Sequence, residues 1–131
     1  MELVHVDDVP ESRVEDRILQ WIAGPAGQVK SDCCSSCMVK FGPGASAKPP
    51  HSHRDCEEAI YLLSGAGEMM LEGGTVRKVV KGDFLLMRKN EIHLIKNTGK
   101  DEMKVLCFYS APTDISRYDF HPIDKVSGVK A

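Results

Sequence analysis

From about residue 58 onward, short apolar runs alternate with glycine-containing and charged turns. AIYLLSG, GEMMLEGG, TVRKVVKGD, FLLMRKNE, IHLIKNTGKD and MKVLCFYSAP each read as a strand closed by a turn signal. Strands that follow one another so closely leave no room for crossover helices, so the chain is expected to be all-β with an antiparallel sheet. Gly73-Gly74, between EMMLE and TVRKVV, is a good hairpin turn. Upstream, CMVKF has the same period of two, which puts Cys37, Val39 and Phe41 on one face, toward a core. Residues 12–24, SRVEDRILQWIAG, read two ways. Ser12 and Glu15 have the spacing of a capping box, and Val14, Ile18, Trp21 and Ile22 recur at helical intervals, yet RILQWIA would also serve as an outer strand. The methionines Met38, Met69, Met70, Met87 and Met103 are most simply core filler. The tail DKVSGVKA has few apolar residues and is expected to be mobile.

Composition narrows the class. A chain of 131 residues is long enough for one real core, and no repeat, linker or low-complexity segment divides it, so one domain over 1–131 is expected. Charged residues make up 27% with a net charge of −2 and no basic stripe, which argues against nucleic acid as a partner. No apolar stretch approaches a membrane span, and MELVHVDDVPESRVEDR is too acidic for a secretion signal, so a cytoplasmic protein away from membranes is expected. Cysteines number five, and Cys33, Cys34 and Cys37 cluster in DCCSSCM. With no second CxxC to complete a zinc site, free thiols in a reducing compartment are the simpler reading. Cys37 shares strand parity with core positions, and Cys107, in the apolar run VLCFY, would behave as a small hydrophobe, while Cys56 falls between candidate ligands.

Candidate chemistry centres on His51 and His53 in PPHSHRDCEEAIYLLSG, Glu58 five residues on, and His93 in GDFLLMRKNEIHLIKN. Residues two apart on an extended segment point the same way, and the prolines of PPHSH favour extension, so His51 and His53 can aim at one point. A lone HxH is more often a pair of surface histidines; a carboxylate and a third imidazole change that balance. Together they make a mixed nitrogen and oxygen shell suited to manganese, iron, nickel, copper or zinc rather than calcium or magnesium, with positions left open for water, oxygen or a substrate oxygen. His5 and His121 lie near the ends and are set aside.

In this company the chain resembles the cupin superfamily, and within it the small single-domain cupins. Gly44, His51, His53, Glu58 and Gly65 follow the first motif, with four residues between His53 and Glu58 and six between Glu58 and Gly65; this spacing selects Glu58 over Glu57. Gly82, His93 and Asn97 follow the second motif, with Arg88 in place of its proline and Asn90 in place of its glycine. Both departures fall in a turn, where Asn90 tolerates positive φ. The resemblance implies an antiparallel double-stranded β-helix (a jelly roll) with a core barrel over about 30–112 and the amino-terminal strands and carboxy-terminal tail packed outside it, RILQWIA being one of those strands. It implies one divalent transition-metal ion held by His51, His53, Glu58 and His93. It implies an enzyme acting on a small oxygen-rich molecule by isomerase, lyase, decarboxylase or dioxygenase chemistry, or alternatively a non-catalytic barrel that binds or senses a small ligand. It implies a homodimer, in which Trp21 either anchors the interface or covers its own barrel. Of the remaining polar side chains, Arg77, Lys78 and Lys96 could reach a pocket, depending on parity; Tyr61 should face outward, and Arg88 should be a solvated rim charge.

Overall fold

Residues 12–24 form two strands and a tight turn, and the helical alternative is discarded. The capping-box residue Glu15 is the turn residue, at φ 56, between strands β1 (Ser12–Val14) and β2 (Arg17–Ala23). Pairing of β2 with the next strand outweighs helical spacing there, since Leu19 lies opposite Val39 and joins the core. The structure is a computed structural model and describes residues 1–127. Beyond β2 come β3 (Ser35–Phe41), β4 (His51–Ser52), β5 (Glu58–Ser64), β6 (Ala66–Leu71), β7 (Val76–Val80), β8 (Phe84–Met87), β9 (His93–Asn97), β10 (Met103–Tyr109), β11 (Asp119–Phe120) and a single helical turn, α1 (Asp124–Ser127).

These strands build a six-stranded sheet, β1-β2-β3-β10-β5-β8, and a five-stranded sheet, β11-β4-β9-β6-β7. Every pairing of named strands is antiparallel, and the arrangement is the double-stranded β-helix that the motifs implied. Period-two burial carries it: Cys37, Val39 and Phe41 are buried opposite Cys107, Val105 and Met103. Met69 and Met87 also sit in the core, whereas Met38 and Met70 are half-buried. The glycine turn between β6 and β7 is present, with both glycines at positive φ.

The tail departs from expectation over its first residues. Val126 is fully buried, packing α1 against β6 and the Glu72–Gly74 turn, because one apolar side chain in a polar tail suffices to seat a single turn. The rest of that tail, 128–131, lies outside the described residues.

Candidate metal centre

Both sheets contribute to one buried cluster. Glu58 opens β5 in the larger sheet, opposite Tyr109 and Met87. His51 and His93 face each other across β4 and β9 in the smaller sheet, and His53 follows one residue after β4. Strand β4 is shorter than PPHSH suggested, yet the alternation holds and the His51 and His53 rings lie 5.2 Å apart. One turn fixes two of the histidines. Asn90, at φ 65, donates its backbone N–H to the His53 carbonyl at 2.8 Å, and the neighbouring Glu91 carbonyl accepts from His93 Nδ1 at 2.8 Å. The asparagine standing in a glycine's place therefore supplies the same left-handed backbone.

The four side chains expected from sequence are all brought together: one donor atom each from His51, His53, Glu58 and His93 lies within 4.8 Å of the others, and all four residues are buried. Their hydrogen bonds suit a cation. His51 Nδ1 and His93 Nδ1 point at the backbone carbonyls of Pro49 (3.2 Å) and Glu91 (2.8 Å), the outer contacts that hold a ligating imidazole with its Nε2 facing inward. His53 Nε2 and His93 Nε2 lie 3.1 and 3.0 Å from the same Glu58 oxygen, Oε1. In the protein alone these contacts close around protons; a divalent ion would replace them with lone pairs.

Electrostatics in the cluster pulls in two directions. Burial alone would raise the Glu58 carboxyl, but the hydrogen bonds and charges of His53 and His93 take it well below the ordinary range. His93 is raised, its burial outweighed by Glu58. His51 is pushed down to about 3, first by burial and then by His93, so at neutral pH it is an uncharged imidazole with a lone pair to give.

A cavity of about 30 Å³ adjoins the cluster, room for a water molecule or two. Its polar wall includes Arg17, Tyr109, Tyr118 and Cys107, none of which was named from sequence as a site residue. Tyr109 shares strand parity with Cys107 and Val105 and was legible as inward-facing. Tyr118 arrives from an irregular segment with no period to read, stacks on His51 with ring centroids 4.9 Å apart, and meets the Tyr109 hydroxyl at 2.6 Å. Burial, with the Glu58 charge, holds both phenols and the Cys107 thiol well above their ordinary pKa values, so all three stay protonated. Arg17 shares parity with Leu19 on β2, and only its charge argued against an inward position.

The other candidates lie elsewhere. Tyr61 is exposed on the outer face. Arg88 is exposed and donates to Glu57 Oε2 at 2.8 Å, which turns Glu57 away from the cluster. Arg77, Lys78 and Lys96 are exposed. Trp21 is half-buried and packs on Tyr109 of its own barrel, with ring centroids 5.9 Å apart. His121 bonds the Ser52 hydroxyl at 2.8 Å and His5 caps an amino-terminal turn.

A family model described as a cupin domain matches residues 37–109. An uncharacterized protein of Aquifex aeolicus is 31% identical over 68 residues, 52% of this chain and 54% of that protein, so the chain spans about half the length of this curated relative. Among solved structures, an uncharacterized protein with a double-stranded β-helix domain from Klebsiella pneumoniae matches with a TM-score of 0.74 at 14% identity, covering 90% of this chain and 89% of that one. The polyketide cyclase RemF of Streptomyces resistomycificus matches with a TM-score of 0.72 at 19% identity, covering 95% and 91%. Both structural likenesses are likenesses of fold.

Proposed function

The chain belongs to the cupin family, and from that membership we propose that it is a metal-dependent enzyme acting on a small oxygen-rich molecule. One divalent transition-metal ion (manganese, iron, nickel, zinc or copper) is held by His51, His53, Glu58 and His93. The observation that carries this reading is the convergence of four buried donor atoms within 4.8 Å, in a site where His51 and His93 are already braced by backbone carbonyls. A polyketide cyclase sharing the fold supports an enzyme on such a barrel, although fold alone does not give a reaction.

When bound, the ion supplies a Lewis acid that polarises an oxygen ligand or lowers the pKa of a bound water. The chain's own residues do the rest. Tyr118, stacked on His51, and the buried walls exclude bulk water, which strengthens every charge interaction inside. The hydroxyl pair of Tyr109 and Tyr118 holds two protons over one short contact; one hydroxyl donates to the other, and the second hydrogen is free to face a substrate oxygen. Glu58, drawn well below the ordinary carboxylate range, stays ionised and would supply the one anionic donor to the ion.

The whole chain, 1–131, acts as one domain and as a homodimer on a small molecule, without nucleic acid or membrane, in the cytoplasm. The free state of its five cysteines supports a reducing compartment. The exposed apolar stripe Tyr61, Phe84, Leu86 and Phe108 on the outer face of β5, β8 and β10 supports a second copy as partner. A second reading, a non-catalytic barrel that binds or senses a small ligand, has the small size of the cavity in its favour. Elemental analysis of protein purified without chelator or affinity metal tests the first reading: near one equivalent of a transition metal per chain is expected, and no metal, with none taken up on titration, overturns it.

A further inference from the structure

We infer that Arg17 is a substrate-binding residue and that the site takes a small carboxylate anion, its carboxylate on the guanidinium and the rest of the molecule facing the histidine and glutamate cluster. This deepens the proposed function and rests on it only for what meets the far end of the ligand. Arg17 is the one arginine or lysine that the fold buries among the described residues, at 5% exposure. Its Nη1 finds no acceptor, and no ion pair of the described residues includes it. Three exposed arginines, Arg54, Arg88 and Arg117, are paired with Asp119, Glu57 and Asp55.

An uncompensated buried charge is among the costliest features a fold can keep. Glu58, the one carboxylate on the cavity wall, makes no ion pair with it, and its hydrogen bonds go to His53 and His93. Placement agrees with a ligand role. Arg17 begins β2 opposite Phe41, directly after the Glu15 turn, so its backbone is held in the sheet while its side chain lines the cavity beside His51 and His93. The guanidinium fork matches a planar carboxylate through two parallel N–H bonds. Leu19, Val39, Ile60 and Val105 supply an apolar part of the wall, and no second arginine or lysine lines it.

Metal-stripped protein isolates this contact, with acetate as probe and its uncharged isostere acetamide as control. Calorimetry should show acetate binding to the parent and acetamide failing to bind. Binding should weaken at least tenfold in Arg17→Met and less in Arg17→Lys. Acetate should raise the parent's Tm and leave that of Arg17→Met unchanged, since only a ligand of the folded state stabilises it. Equal acetate binding by parent and Arg17→Met, or none by the parent, overturns the inference. So does an Arg17→Met that melts lower yet keeps its acetate affinity, which would make Arg17 structural. Should Arg17→Met not fold, the acetate-against-acetamide contrast in the parent and the Arg17→Lys affinity decide the matter. Metal per chain, measured separately on reloaded parent, reports on the metal reading whichever way acetate falls.

Discussion

At the scale of single residues, His51 is kept as a neutral base by its surroundings. Burial and the neighbouring His93 depress its pKa to about 3 in the folded chain against an ordinary 6.5. Between those values the unfolded chain binds the extra proton, so this contribution to stability is complete above pH 6.5 and is lost as pH falls toward 3, by about 1.4 kcal/mol per pH unit. Glu58, also depressed, adds a loss in the same direction below the ordinary carboxylate range. His93, which is raised, opposes them: its contribution is complete below 6.5 and fades as pH rises through its folded value. Urea unfolding of metal-free protein should therefore show lower stability at pH 5 than at pH 7, and His51→Gln should flatten that slope; an unchanged slope would refute the assignment to His51. His51→Ala combined with His93→Ala should abolish stoichiometric metal while far-ultraviolet circular dichroism still reports a β barrel. Metal retained by the double variant would remove these residues from the ligand set.

At the scale of elements, the Arg88–Glu91 turn and the segment carrying Tyr118 govern the site. The first braces His53 and His93 through backbone hydrogen bonds. The second lays Tyr118 on His51 and is tied down where Asp119 pairs with Arg54 and His121 meets Ser52. Tyr118→Ala should leave metal stoichiometry at its parent value and speed release of the ion to a chelator several-fold, as followed by stopped-flow absorbance; an unchanged rate would show that the tyrosine does not cover the site. Strand β6 has its own constraint. A Cβ on Gly67 would sit 2.2 Å from the Lys96 carbonyl oxygen and 2.8 Å from Met103 Sδ, so Gly67→Ala should destabilise the barrel by about 1–3 kcal/mol in chemical denaturation, the cost typical of overpacking and backbone displacement. Legibility at this scale was uneven. Period-two runs such as CMVKF and MKVLCFY announced their strands and inward faces, and HxH parity survived a β4 of only two residues. Residues 12–24 carried a helical spacing that strand pairing overrode, and Tyr118 lay in a segment whose position depends on contacts distant in sequence.

For the whole molecule, the motif residues Gly44, Gly65, Gly82 and Asn97 were readable because each serves a local backbone need. Asn97, for example, is fully buried and ties the Phe41 and Asp101 carbonyls to its own turn. Arg17 was not readable, since an inward cation violates the pattern that makes strands legible. The outer stripe of Tyr61, Phe84, Leu86 and Phe108 belongs to this scale too. If a second copy covers it, Phe84→Glu together with Phe108→Glu should convert a dimer into a folded monomer in light scattering; a parent already monomeric at micromolar concentration would exclude that face as a dimer interface. The donor set also has a mechanical side. Glu58 stands on one sheet while His51 and His93 stand on the other, so an ion held by all of them would rivet the two walls together. Breathing of the walls against each other would then require a ligand to let go, and amide exchange in β5 and β9 should slow in concert on metal loading.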